Sequence, residues 1–208
     1  AEATRLRYDT HVDYFLSDSA VECHRDHLRV GSRFAKVLTM KEPPGQTFAL
    51  VLQDLYDLPA EFVACLEWQR IPDDTARRDL QARRRHFFNK RIALVNYVSP
   101  ETRPEEMLVD DSETAKVTQL GGAVTEVAVH GHFFGQTSLT LVVHGRDRAL
   151  VERHAAEVGK VLAVHDGAFF DESYNLLNAW LGTVPGNGHY NLRRLALLDT
   201  NLADLSFV

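Results

Sequence analysis

Three proline-bounded segments in the first third of the chain constrain its fold most. Phe34 to Met40 is a β-rich run, closed by Pro43-Pro44-Gly45, which neither a strand nor a helix interior tolerates well. Phe48, Leu52, Leu55 and Leu58 then recur at helical spacing behind Thr47, a candidate N-cap, and Pro59 ends that stretch. Glu61 to Arg70 follows as a mostly apolar strand suited to a sheet centre. The order β-α-β with short connections predicts a right-handed parallel unit.

The second half repeats this logic. Phe133 to His144 alternates apolar and polar residues as a half-buried strand does, and Asp147 caps a helix with Leu150, Val151, His154, Ala155, Val158, Val161 and Leu162 on its apolar face. A short strand from Gly167 to Ser173 carries Phe169 and Phe170. Leu176, Leu177, Trp180 and Leu181 then make a last helix, stopped by Pro185-Gly186. Between the halves, Pro72-Asp73-Asp74 opens a basic helix to about Ile92, residues 99–112 read as an acidic linker, and residues 112–129 read as helical. Ahead of them, short strands are expected over residues 11–16 and 20–24, with 27–30 continuing the second.

The expected fold is therefore α+β: two βαβ-like units in a ferredoxin-like sandwich, two helices on one face of a four-stranded sheet, with a helical insertion over 72–130. The expected division is an N-terminal extension over 1–30, the α+β domain over 31–190, and the start of a linker over 191–208. At 208 residues the chain has room for one large domain or two small ones, at about 100–200 residues each. Both ends read as cut, as expected of a piece of a longer protein: Ala1 stands in place of an initiator Met, and Ser206-Phe207-Val208 follows an apolar stretch directly.

Composition excludes several classes. With 45% apolar residues, the chain has enough side chain to offset the entropy of ordering its backbone, so disorder is not expected. No apolar run approaches the ~20 residues needed to cross a bilayer. Arg5, Arg7 and Asp9 break any signal-peptide core. Cys23 and Cys65 are too few for a disulfide framework, which fits a reducing compartment.

Charge is uneven. The net charge is −6, yet residues 69–91 hold eight Lys or Arg against three Asp, +5 locally, leaving −11 elsewhere. Arg83, Arg84, Arg85, Lys90 and Arg91 flank His86, Phe87 and Phe88, the ingredients for phosphate contact and base stacking. A nucleic-acid-binding domain is thus the alternative reading. The overall acidity favours an acidic protein surface as the partner instead, because nonspecific nucleic-acid affinity comes from phosphate neutralisation.

Motifs for catalysis are missing. The only Gly-Lys pair, Gly159-Lys160, lies within a predicted helix and has His154 where a phosphate loop needs its first glycine. No G-x-S-x-G nucleophile elbow occurs. His130-x-His132 and Cys23-His24-x-x-His27 each lack the further ligands zinc requires, so no metal is expected at either. Glu61 and Glu67 could do acid-base work in principle, but read as charges at the ends of a strand core.

A more specific signal lies near the C-terminus. Ala179-Trp180-Leu181-Gly182-Thr183-Val184-Pro185-Gly186-Asn187, then Asn191-Leu192-Arg193-Arg194 and Thr200-Asn201-Leu202-Ala203, resembles a segment of the conjugal-transfer ATPases of type IV secretion systems, the TrbE/CagE class. Val37 to Pro44, Gln46-Thr47-Phe48, Glu67-Trp68 and Arg83 to Phe87 look like that family too, so the resemblance covers about residues 28–205. It implies the N-terminal domain of an ATPase at the cytoplasmic side of the inner membrane. The parent would oligomerise, dock on channel and inner-membrane components, and power pilus assembly and transfer. ATP and Mg are then expected only in a later C-terminal domain, and no catalytic residue in this chain. Trp180, Pro185, Gly186, Asn187, Arg193 and Asn201 are the motif residues with an interdomain role to test. Pro185-Gly186-Asn187 is also explained as a structural turn, since Pro stops a helix and Gly-Asn tolerates positive φ.

Overall fold

The computed structural model describes residues 19–76, 78, 79, 81, 82, 122, 125 and 129–206. The strands are β1 (Val21–Cys23), β2 (Leu28–Val30), β3 (Arg33–Glu42), β4 (Phe62–Arg70), β5 (Phe134–Gly145), β6 (Ala168–Asp171) and β7 (Leu195–Leu198). The helices after β5 are α1 (Arg148–Val161), α2 (Leu176–Gly182) and α3 (Asp199–Asp204). The chain divides into two compact units. Unit 1 comprises residues 1–68, 137–196 and 201–208, and unit 2 comprises 69–136 and 197–200.

The sheet runs β1-β2-β3-β5-β4, with β6 also paired to β3 and β7 to β5. The pairings β1–β2, β2–β3, β3–β5 and β3–β6 are all antiparallel. Strands and helices thus combine in an α+β fold as expected, and β3 and β4 are not neighbours, because β5 lies between them. A long strand contributed from far along the chain outcompetes the local partner. β5 buries nearly every residue from Phe134 to Val143, and only a central position satisfies both its faces. β4, expected at the centre, pairs with β5 alone among the described residues.

The helix predicted over 48–58 is also corrected. Residues 48–57 form successive turns around a short 3-10 turn at Gln53–Leu55. Of the residues at helical spacing, Leu52 and Leu55 are buried, as is Val51, while Phe48 is exposed. A left-handed Leu50 at φ +66 interrupts the backbone before a helix can propagate.

The two faces of the unit 1 sheet are filled by different helices. Residues paired across antiparallel strands share a face, so Val37 with Val142 and Thr39 with Thr140 face one way, while Leu38 with Leu141 face the other. Leu28, Ala35, Val37 and Val142 pack with Leu176 and Ala179 of α2, and half-buried Trp180 lies against them. On the opposite face a Cβ at Gly159 of α1 would sit 3.5 Å from Leu38 Cδ2. Asp147 caps α1 as expected, its carboxylate accepting from the Leu150 N–H at 3.2 Å. α1 and α2 therefore lie on opposite faces; of the two helices expected on one face, α1 forms, and the turns at 48–57 stand in place of the other.

Unit 2 is described by fewer residues. The start of the predicted basic helix is helical at 73–76, 78, 79, 81 and 82, and residues 122, 125 and 129 are helical as well. Arg70 pairs with Asp73 at 3.1 Å and lies 4.5 Å over the Phe133 ring. His132 Nδ1 lies 3.0 Å from Asp199 Oδ1. The strand over 11–16, the linker over 99–112, and Arg83, Arg84, Arg85, Lys90 and Arg91 lie outside the described residues. No helix among the described residues is long and apolar enough to cross a membrane.

Candidate functional site

The face of the unit 1 sheet that carries α2 turns polar at one end. Thr39 of β3, Ser138 and Thr140 of β5 and Glu172 after β6 are all buried there. Four polar side chains on one buried surface require partners, since each unpaired group would cost on the order of 1–3 kcal/mol. The segment after α2 supplies them.

Residues 187–193 lie against this surface through two side chains. Asn191 is buried and places its Nδ2 on Ser138 Oγ, 3.4 Å from Thr140 Oγ1 and 3.3 Å from Glu67 Oε2. Its Oδ1 accepts the Arg193 N–H at 3.2 Å, which closes a local turn. Arg193 then reaches Glu172: Nε donates to Oε1, and Nη2 to Oε2 at 3.3 Å. Thr39 Oγ1 donates to the same carboxylate. The guanidinium also stacks 4.2 Å over the Phe170 ring. One short segment thereby ties together β4, β5, β3 and β6.

Two glycines permit this approach. Gly186 turns at φ +91, a conformation that disfavours side chains. A Cβ at Gly188 would fall 2.2 Å from Glu67 Oε1, so the carboxylate occupies the space a side chain would need.

The predicted motif residues fall into distinct places. Arg193 is in the polar lattice. Asn187 is buried; its N–H bonds the Val184 carbonyl at 3.0 Å, while its Nδ2 has no hydrogen-bond partner among the described residues. Trp180, on α2, is half-buried against the apolar core. Pro185 and Gly186 are exposed in the turn. Asn201 is joined elsewhere, its Nδ2 donating to Thr47 Oγ1 at 2.8 Å. Thr47, read as a helix N-cap, instead anchors α3.

Sequence reasoning missed Glu172, Thr39, Ser138 and Thr140, and read Glu67 as a strand-end charge. The signal available was Thr137-Ser138-Leu139-Thr140 inside a strand too apolar to be exposed. Buried hydroxyls of that kind imply a polar partner, but not which one.

Chemically, the lattice is a lock. Glu172 is enclosed, and both of its oxygens accept hydrogen bonds from Thr39 and Arg193. Gly159-Lys160 lies within α1 with Gly159 packed on Leu38, so its backbone cannot cradle a phosphate. The residues present do not fit a nucleotide there. Among the described residues, no three His, Cys, Asp or Glu side chains are grouped to hold a metal ion.

Over 177 residues, 85% of its length, the chain is 20% identical to a protein of Sinorhizobium fredii (strain NBRC 101917 / NGR234) described as the second portion of a probable conjugal transfer protein TrbE. The chain spans about a quarter of that relative's length, 26%. No family model matches the chain.

Proposed function

We propose that this chain is a protein-interaction and assembly domain of a conjugal-transfer machine, the N-terminal domain of a type IV secretion ATPase. The observation that carries the reading is the likeness to a conjugal transfer protein along 85% of the chain. Its support in the fold is that two residues picked out by family resemblance are held in place: Arg193 is paired with buried Glu172, and Asn187 is buried. In this reading residues 187–193 form a rigid anchor for whatever the parent protein attaches beyond them. The strand order β6-β3-β5-β4 with α1 on one face supports a ferredoxin-like core whose first helix is reduced to the turns at 48–57.

The parent would be an oligomer held at the cytoplasmic side of the inner membrane by channel and inner-membrane components, with ATP and Mg bound by a separate domain. The isolated chain would bind protein and not hydrolyse ATP. The test is twofold. Immobilised chain should enrich inner-membrane components from cells carrying a conjugation system, and should not do so from cells lacking one. ATP hydrolysis by the purified chain above a buffer control, lost in a Lys160→Ala variant, would overturn the reading.

A further inference from the structure

Away from Glu172, two loops of unit 1 meet and raise apolar side chains into solvent. The Gly45 N–H donates to the His165 carbonyl at 2.9 Å, and the Phe48 ring stands edge-on to the His165 imidazole at 5.1 Å. Around this junction Phe48, Leu50 and Val164 are exposed, at 49%, 51% and 73%. Scattered apolar residues on a surface need no explanation, but these share one place.

Backbone strain marks the same place. Leu50 and Asp166 are the two non-glycine residues with positive φ among the described residues, at +66 and +60. Asp166 has a local cause: it ends a 3-10 turn, its N–H bonding the carbonyls of Ala163 and Leu162. Leu50 takes the third position of a turn closed by the Val51 N–H on the Phe48 carbonyl at 3.1 Å, where positive φ ordinarily selects glycine. Its neighbours Val51, Leu52 and Leu55 fill the core, while Leu50 is held outward in a conformation that disfavours its side chain. Strain of this kind persists where the surrounding structure fixes it, and it clusters at binding sites.

Charge identifies the partner. Residues 43–60 and 162–167 contain no Lys or Arg, while Asp54, Asp57 and Asp166 are all exposed. We propose that this junction docks a basic peptide segment of a partner protein, with Phe48, Leu50 and Val164 receiving its apolar anchors and the three aspartates pairing with its cations. Acidic rims of this type speed encounter and fix register, while the apolar centre supplies affinity. The inference rests on the junction alone and holds whether or not the conjugal-transfer reading does.

The test uses the whole chain and a fluorescent synthetic peptide, RRRHFFNKR, whose sequence is that of residues 83–91 and which combines cations with aromatics. Saturable binding is expected, weaker at higher salt, and weakened about tenfold by Leu50→Gly or Phe48→Ser. Leu50→Gly should keep or raise the melting temperature, because glycine suits the left-handed turn. A peptide with both Phe replaced by Ser should bind several-fold more weakly. No saturable binding, or equal binding by the Leu50→Gly variant, overturns the proposal. So does a dimer of the chain that Leu50→Gly dissociates, since the face would then be a self-interface.

Discussion

Arg193 closes on Glu172 across 21 residues of sequence, gripping both oxygens of a carboxylate that has no contact with solvent. The pair fixes the segment after α2 to the polar end of the sheet face that α2 covers. Because Arg193 stays partly exposed while Glu172 does not, the two partners are not equivalent. The consequences of removing each should differ.

Arg193→Ala strands a buried carboxylate and should destabilise the chain by about 3–5 kcal/mol. Glu172→Gln removes the charge but keeps an acceptor for Thr39 and Arg193, at a cost of about 1–3 kcal/mol. Urea unfolding of both variants checks the order. Equal losses would show that the lattice tolerates an unpaired carboxylate, against the geometry.

Gly188→Ala should lose about 1–3 kcal/mol, because the new methyl must displace the Glu67 carboxylate. Adding Glu67→Ala vacates that space. In a double-mutant cycle the combined variant should recover at least about 0.5 kcal/mol relative to the sum of the single losses. Strict additivity would mean that the two residues do not meet.

The His144 imidazole is held below its ordinary range, first by burial and then by the Arg33 guanidinium, with Glu61 opposing. The folded state resists protonating it, so the unfolded chain binds more protons as pH falls below about 6.5. His144 therefore contributes a loss of stability through that window, and stability rises again with pH. His144→Gln should flatten the slope of melting temperature between about pH 5 and 7. An unchanged slope would assign it to other groups.

Burial raises the Cys65 thiol, and the Glu67 charge raises it further. Cys23 is exposed. At about pH 8 a thiol reagent should label Cys23 first and Cys65 at least about tenfold more slowly, since the thiolate is the reacting species. Glu67→Gln should accelerate Cys65 without altering Cys23. Mass spectrometry of timed digests reads both rates.

Local pattern carried the elements with strong periodicity or a distinct cap. The Phe34 to Met40 run became β3, the alternation after Phe133 became β5, and Asp147 capped α1 where its spacing from the apolar face required. The 48–58 spacing reported burial correctly at Leu52 and Leu55 but not at Phe48, and reported backbone conformation wrongly. Periodicity records which side chains face the core, whereas φ at Leu50 depends on loops that meet only in three dimensions.

By itself, then, the sequence determined the α+β character, the strands β3 and β5 and the likeness to conjugal-transfer proteins, because these depend on residue order along one stretch of chain. Only the tertiary structure decided that β5 separates β3 from β4, that α1 and α2 cover opposite faces, and that Glu172 meets Arg193. Sheet order and buried polar pairing join residues from tens to more than a hundred positions apart: Thr39 and Glu172 are separated by 133. The energy that selects such partners, desolvation against pairing, exists only once both groups are removed from water together.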